Sequence, residues 1–411
     1  MAQGQTLIPC AYLRGGSSKA TFFLSCNLPP PGPLPDKVLK RVNGTPDPIQ
    51  IDGMGGSRVV TSKIAIISTS ERDDADVDYT FCQRLVQFPH YTYIHGERRK
   101  NLMSFVSVAA VGPFAIDEGL IKGPSRPGIG ADATIATREV KIYNTGTRKI
   151  LISHVPIDPE TGKSVSEGGF AIAAVPGTGA PILMDYRNTV GAAKQSGILP
   201  TGHAIDEISL DGKAIQVTIC DVGNICVFAA ASDVGLTGLE TADAINENSA
   251  VIARCKELRG RAAKLLGMCE NWKLADEQSG AIPLLVLVSA PPASGDADVT
   301  SRLLLHNRCH DSMAGTGAIC TAACSKISDS IVAQVSRQTR LANHVFRIAH
   351  PLGIMPIQVE LGGVFQNEMV REQDSTTAEF RVLAFVRTAR RIMDGNVYIP
   401  AVIWNGRDGK S

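Results

Sequence analysis

The sequence has few aromatic residues and almost no net charge. Only 5 % of its 411 residues are Phe, Trp or Tyr, and 41 Lys and Arg side chains balance 40 Asp and Glu to leave a net charge of +1. Electrostatic binding to nucleic acid or to an anionic membrane surface requires a basic excess, and stacking on bases requires aromatic side chains. The composition therefore argues against nucleic acid and membrane surfaces as partners.

The sequence also lacks any apolar run of the ~20 residues that a membrane-spanning helix needs. Its start, Met1-Ala2-Gln3-Gly4-Gln5, has neither the basic residues nor the apolar stretch of a secretory signal peptide. The ten cysteines are scattered and form no Cys-x-x-Cys pair. This pattern indicates small buried side chains in a reducing compartment rather than disulfides, so we expect a cytoplasmic protein.

Motifs of the common nucleotide, hydrolase and zinc sites are missing. There is no G-x-x-x-x-G-K-[ST] loop, no G-x-G-x-x-G loop between a strand and a helix, and no G-x-S-x-G turn. His306, Cys309 and His310 cluster, but their spacing matches no standard zinc pattern. Neither a nucleotide-binding loop nor a metal site is therefore expected.

Two glycine-rich runs, each ending in a lysine, are the most informative feature present. The first is Arg14-Gly15-Gly16-Ser17-Ser18-Lys19, and the second extends from Asp52 to Lys63. Small hydroxyl side chains and glycine-freed backbone N–H groups beside a cation suit the recognition of carboxylate or phosphate. The candidate hydroxyl donors are Ser17, Ser18 and Ser62.

Lys63 is the candidate catalytic residue. It is followed directly by Ile64-Ala65-Ile66-Ile67, which predicts a buried strand. An amine at the mouth of a buried strand loses hydration, and this lowers its pKa and makes it a base. The alternative interpretation is an ordinary surface lysine at a strand end.

The predicted elements come in a repeated order. Strands, an all-apolar helix with a polar or glycine-rich start, and further strands occur twice, with the helices at about 102–112 and 315–325. The repeat predicts two similar α/β domains, over residues 1–188 and 189–384, each with a sheet around a buried central helix. Two unrelated buried helices are the alternative. If both helix N-termini face one cleft, their dipoles would favour a small molecule with two or three carboxylates.

The starts of the two helices supply further candidate contacts to such a ligand. Asn101 precedes the first helix, and His310 lies just before the glycines of the second. The candidates at the second helix are His310, Ser312, Met313 and Thr316.

Ordered motifs along nearly the whole chain resemble one known family. They are RGGSSK (14–19), IDGMGG (51–56), TSK (61–63), PGTGAP (176–181), DVGN (221–224), TGA (316–318), HPLG (350–353) and RTARRIMDG (387–395). With these motifs the chain resembles the PrpF-type family of aconitate and methylaconitate isomerases, which includes 3-methylitaconate isomerase and 4-oxalomesaconate tautomerase.

The resemblance implies a fold, a reaction and a base. The fold is mixed α/β (α+β), with two pseudo-symmetric domains like those of diaminopimelate epimerase, and residues 385–411 return to the N-terminal domain. The family uses no cofactor and no metal. Its lysine matching Lys63 moves a proton along an allylic system next to a carboxylate, which requires a base of tuned pKa and stabilisation of a dienolate.

One segment departs from the family pattern. Relatives open the first central helix with Gly-Asn-Cys-Gly-Asn, whereas this chain reads Glu97-Arg98-Arg99-Lys100-Asn101. Arg99 stands where the cysteine of relatives faces the lysine, and its guanidinium stays protonated at ordinary pH. Arg99 could therefore clamp a substrate carboxylate or simply fill the old site, but it cannot act as a second base. Proton transfer by Lys63 alone remains compatible with this sequence.

Three functions fit these observations. The leading one is a cofactor-independent isomerase or tautomerase that shifts a double bond or its geometry in a small unsaturated, aconitate-like polycarboxylate. The second is a family member whose cationic segment around Arg99 is retuned to another enolisable acid. The third is a binding protein that has lost the chemistry. The expected partner is a small-molecule carboxylate, and assembly into a homo-oligomer stays open.

Overall fold

The computed structural model describes residues 4–57, 60–83, 108–121, 126–129, 135–336, 344–363 and 369–406. These residues form two compact units. The first contains the described residues up to 184 together with those from 386 onwards, and the second spans 185–385. All ten cysteines are free thiols. Within the described ranges, no helix is both long and apolar enough to cross a membrane.

The first unit is built from strands with two helices. Its strands are β1 (Gln5–Gly15), β2 (Ser18–Leu24), β3 (Lys63–Thr69), β4 (Val77–Gln83), β5 (Thr137–Asn144), β6 (Lys149–Pro156) and β7 (Ile182–Asp185). Its helices are α1 (Pro33–Asn43) and α2 (Val111–Asp117), the second preceded by a 3₁₀ turn at Val108–Ala110. The last strand of the chain, Ala389–Pro400, also belongs to this unit and pairs with β1.

The two faces of this sheet carry different helices. Helix α1 packs in one apolar cluster with Ile8, Phe23 and Ile64. On the other side, the ring of Phe114 in α2 lies 5.2 Å from that of Phe22, between centroids. Successive strand residues point to opposite faces. Phe23 and Phe22 therefore mark two faces, which are called the α1 face and the α2 face below.

Helix α2 extends beyond the predicted first central helix. The prediction ended at residue 112, whereas α2 continues to Asp117, and residues 102–107 lie outside the described ranges. Pro113 is tolerated because it lies in the first turn, where backbone N–H groups have no intrahelical acceptor. Gly112 allows close packing, since a Cβ there would lie 2.6 Å from Ser153 Oγ.

The second unit contains more helix. Its strands are β8 (Asp206–Leu210), β9 (Lys213–Val222), β10 (Asn224–Ala230), β11 (Leu284–Ser289), β12 (Val299–Leu305), β13 (Arg308–Cys309), β14 (Val345–His350), β15 (Gly353–Leu361) and β16 (Phe380–Arg387), and β17 is the Ala389–Pro400 strand of the first unit. Its helices are α3 (Ala242–Glu247), α4 (Ser249–Leu265), α5 (Ala275–Gln278), α6 (Gly315–Cys324) and α7 (Ile331–Val335). The predicted second central helix is confirmed as α6, whose residues from Thr316 to Cys324 are all buried.

The same sequence of strand pairings occurs in both units. From β17 through β1, β2, β3, β4 and β5 to β6, the pairings are antiparallel, antiparallel, parallel, antiparallel, parallel and antiparallel. From β8 through β9, β10, β11, β12 and β14 to β15, the order is identical. This repeat confirms the predicted internal duplication.

A buried ion pair in the second unit supports the turn between β12 and β13. Arg259 of α4 is 1 % exposed and donates to the carboxylate of Asp276, to Gly280 O at 2.8 Å and to Asn307 Oδ1 at 3.2 Å. Lys256 Nζ lies 2.8 Å from the other oxygen of Asp276, but the Lys256 side chain is 47 % exposed. One carboxylate therefore has one buried and one hydrated cationic partner.

We expect these two partners to differ sharply in their effect on stability. Arg259→Leu leaves Gly280 O without its donor in the interior and removes the buried partner of Asp276, whose carboxylate keeps Lys256. It should lower the free energy of unfolding by about 3 kcal/mol. Lys256→Leu removes an exposed pair and should cost less than ~1 kcal/mol. Urea unfolding of both variants measures the difference, and equal losses would contradict a structural role for the buried pair.

Candidate functional site

Lys63 begins strand β3 and is buried. Its side chain is 2 % exposed. The next residue, Ile64, belongs to the α1 face, so strand alternation places Lys63 on the α2 face. Its Nζ lies 5.8 Å from the ring centroid of Phe81 on the neighbouring strand β4. The alternative of a surface lysine at a strand end therefore does not hold.

The ammonium of Lys63 has no counter-ion among the described residues. The salt bridges found there involve other cations, and the nearest described aromatic contact is the ring of Phe81. Burial lowers the pKa of Lys63 well below its usual 10.5. Removal from water penalises the charged form, and no carboxylate in the described part of the chain offsets this penalty. Lys63 therefore releases its proton at a lower pH than an exposed lysine does.

Ser18 lies on the same face of the sheet as Lys63. Strand β2 runs parallel to β3 with Thr21 beside Ile64, so Thr21 belongs to the α1 face and Ser18, three residues earlier, to the α2 face. Ser18 is 2 % exposed, and its Oγ donates to Gly15 O at 3.3 Å. The structure thus brings a buried hydroxyl and the buried amine together on one side of two adjacent strands.

The two other serine candidates in the first unit differ in their surroundings. Ser62 immediately precedes Lys63, and its Oγ is buried without a hydrogen-bond partner in the described part of the chain. Ser17 is half-buried in the turn between β1 and β2, after Gly16 at φ +59°. An unpartnered buried hydroxyl is energetically unfavourable. Ser62 is therefore available to a ligand that reaches it.

The glycines of the second run serve the packing of their own loop. A Cβ at Gly53 would lie 2.1 Å from Gly44 N, and one at Gly55 would lie 2.2 Å from Gln50 Oε1. The N–H of Ser57 is already bonded to Gln50 Oε1, at 3.0 Å. These glycines therefore have a packing role that fixes the loop just before β3, and anion binding by this run stays a prediction from the sequence.

The candidates of the second unit gather at the start of α6. His310 Nδ1 accepts a hydrogen bond from Ser312 N at 3.0 Å, and His310 N donates to Leu303 O at 2.8 Å. Ser312, Met313 and Thr316 are buried, and His310 is half-buried. The bond between His310 and Ser312 fixes the chain that enters the helix.

Arg99 and Asn101 lie outside the residues that the structure describes. In the described ranges, no group of three or more His, Cys, Asp or Glu side chains could hold a metal ion.

Comparisons with known sequences cover nearly the whole chain. A family model described as PrpF protein matches residues 5–400. The chain is 38 % identical over 406 residues to the 3-methylitaconate isomerase of Eubacterium barkeri, covering 96 % of this chain and 98 % of that protein. It is 33 % identical over 404 residues to the 4-oxalomesaconate tautomerase of Pseudomonas putida, covering 98 % and 99 %.

Two solved structures have a similar fold. A crystal structure of methylitaconate-delta-isomerase matches with a TM-score of 0.75 and 37 % identity, covering 98 % of this chain and 97 % of that one. A hydroxyproline epimerase from Agrobacterium vitis matches with a TM-score of 0.53 and 10 % identity, covering 98 % and 95 %. At that identity the second likeness concerns the fold alone. Together they confirm the predicted epimerase-like mixed α/β fold class.

Gly53→Ala should destabilise the protein by ~3 kcal/mol. The new methyl group would meet the backbone of Gly44, which cannot move aside as a flexible side chain can. Gly169→Ala is the matched control, because a Cβ there meets nothing within 4 Å, and we expect a change of about 0.5 kcal/mol or less. Chemical unfolding compares the two, and a neutral Gly53→Ala would contradict the packing role.

Lys63→Met should stabilise the protein by a margin that shrinks with rising pH. In the unfolded chain the amine keeps its proton up to about pH 10.5, whereas the folded state releases it at lower pH. Between these two values the unfolded state binds more protons, so wild-type stability rises with pH. The margin should fall by up to about 1.4 kcal/mol per pH unit.

Unfolding free energies at several pH values between the neutral range and 10 measure this margin. Lys213→Met is the control, because Lys213 also begins a strand but is exposed. We expect Lys213→Met to change the free energy of unfolding by about 0.5 kcal/mol or less. A pH-independent margin for Lys63→Met would contradict the lowered pKa of Lys63.

Proposed function

The chain belongs to the PrpF family, and we propose that it is an isomerase or tautomerase that uses Lys63 to move a proton within a small unsaturated polycarboxylate. The observation that carries the mechanism is the buried amine of Lys63, which has no counter-ion among the described residues and a lowered pKa. The relatives support the reaction class, since they are named 3-methylitaconate isomerase and 4-oxalomesaconate tautomerase.

The proposed reaction is a proton shift along an allylic system. Neutral Lys63 removes a proton from a carbon next to the double bond, and the electron pair spreads over the double bond into the carboxylate as a dienolate. The resulting ammonium returns the proton to the far carbon of the same system, which moves the double bond. General base catalysis of this kind is most effective when the pKa of the base lies near the working pH.

The same arrangement supports stabilisation of the dienolate. Protonated Lys63 is an ammonium in a poorly hydrated site, where its attraction to the new anion is stronger than in water. The Ser18 hydroxyl lies on the same face of the sheet, and Ser62 Oγ is buried without a partner among the described residues. We assign these hydroxyls to the substrate. The shift requires no redox step, so the proposed reaction uses no cofactor.

The remaining substrate contacts stay predictions from the sequence. They are Ser17 in the first unit, His310, Ser312, Met313 and Thr316 in the second, and Arg99 and Asn101 outside the described ranges. Arg99 stands where relatives have cysteine, and this favours a second candidate function. In this second function the same proton transfer acts on another enolisable acid, and the Arg99 guanidinium binds one of its carboxylates.

Lys63→Ala should reduce proton exchange by at least 10²–10⁴-fold, the usual contribution of a general base. Lys63→Arg should fail as well, because a guanidinium does not release its proton at ordinary pH. The assay follows deuterium incorporation from D₂O and the double-bond shift in methylitaconate and cis-aconitate.

Two results would count against the proposal. Exchange at the wild-type rate in either Lys63 variant would identify another residue as the base. Absence of exchange by the wild-type protein with every unsaturated polycarboxylate offered would favour a binding protein.

A further inference from the structure

Three cationic side chains stand in a row across three adjacent strands of the first unit. Arg14 of β1 lies directly opposite Arg390 of β17 on one side and Lys19 of β2 on the other. Side chains of directly opposite residues in antiparallel strands share one face, with Cβ atoms ~4.5–5.5 Å apart. The row therefore concentrates three positive charges at one end of the sheet.

No carboxylate neutralises this row within the described ranges. None of the ion pairs found there includes Arg14, Lys19 or Arg390, whereas the next residue, Arg391, pairs with Glu118 and Asp394. Burial lowers the pKa of the Arg14 guanidinium, and the neighbouring positive charge of Arg390 lowers it further. Like charges directly opposite each other destabilise a sheet. The row is thus an unfavourable arrangement unless an anion binds to it.

Neutral groups hold two of these cations in place. Arg14 Nη1 donates to Gly16 O at 2.9 Å and to both Thr388 O and Thr388 Oγ1 at 3.0 Å. Lys19 Nζ lies 5.4 Å from the ring centroid of Tyr12. These contacts fix the side chains without cancelling their charge. A site arranged in this way loses little conformational entropy when a ligand binds.

The row lies on the face of the sheet opposite Lys63. Lys19 and Thr21 share a face because they are two residues apart on β2, and Thr21 lies beside Ile64 of β3. Lys63 precedes Ile64 and therefore points the other way. We propose that Arg14, Lys19 and Arg390 form a second anion site, separate from Lys63, for a small polyanion bearing carboxylate or phosphate groups.

Isothermal titration calorimetry tests the site without turnover. The probes are tricarballylate, a saturated tricarboxylate that cannot undergo the allylic shift, and inorganic phosphate. The probe that binds more tightly shows whether the site prefers carboxylate or phosphate groups.

In the Lys63→Met protein we expect binding of at least one probe to persist. Adding Lys19→Gln or Arg390→Gln to that protein should weaken the binding about tenfold or more. Arg308→Gln is the control, because it removes an exposed strand arginine of the second unit and should change nothing.

Thermal stability supplies a second readout, in which Arg390→Gln should have opposite effects without and with the anion. In low-salt, anion-free buffer Arg390→Gln should raise the Tm, because it removes a like-charge neighbour, whereas saturating probe should stabilise the wild type more than the variant.

The proposal is overturned by loss of binding in Lys63→Met or by unchanged affinity in both Gln variants. It is also overturned by a lower Tm of Arg390→Gln without anion. Because binding is measured without turnover, failure here would leave the isomerase proposal standing.

Discussion

Burial of an amine without a described counter-ion is the constraint on which this account depends. An ammonium removed from water and left unpaired is costly by several kcal/mol, so burial lowers the pKa of the lysine. Lys63 is held in this state because it begins a strand with neighbours on both sides, β2 and β4, and lies close to the Phe81 ring. In the proposed mechanism this energetically unfavourable position is where the base acts.

The duplicated architecture makes the position of this lysine more informative. In both units a strand pairs in parallel on one side and antiparallel on the other at the same point of the order, β3 in the first and β11 in the second. β3 begins with Lys63, whereas β11 begins with Leu284 and continues with apolar residues. Both units therefore contain the same arrangement of paired strands. At this position the first unit has a buried amine, whereas the second has an apolar side chain.

Short-range patterns were sufficient for the elements whose burial is uniform. The apolar residues after Lys63 predicted β3, and the small apolar residues after Gly315 predicted α6. The local pattern did not predict strand β17, because most of its twelve residues are exposed and it has no apolar run. Only the family resemblance implied that residues 385–411 return to the first domain. β12 was missed because Thr300, Ser301 and Arg302 interrupt its apolar pattern although all three are buried.

The face on which each candidate lies could not be predicted, because it depends on strand register. The sequence placed Arg14, Lys19 and Lys63 in two similar glycine–lysine runs, but the pairing of β1, β2 and β3 puts the first two on the face opposite Lys63. The role of Gly53 was hidden for a related reason, since its close neighbour, Gly44, lies at the end of α1. Contacts of this kind are set by tertiary packing and leave no local motif.

Direct titration of the Lys63 amine tests the central claim most closely. In protein labelled with ¹³C at lysine Cε, the resonance missing from the Lys63→Met variant identifies Lys63, and its chemical shift is followed against pH. We expect a midpoint well below 10.5, the usual pKa of lysine. A midpoint at or above 10.5 would show that the amine stays charged in the folded protein, and Lys63 could not then act as the base.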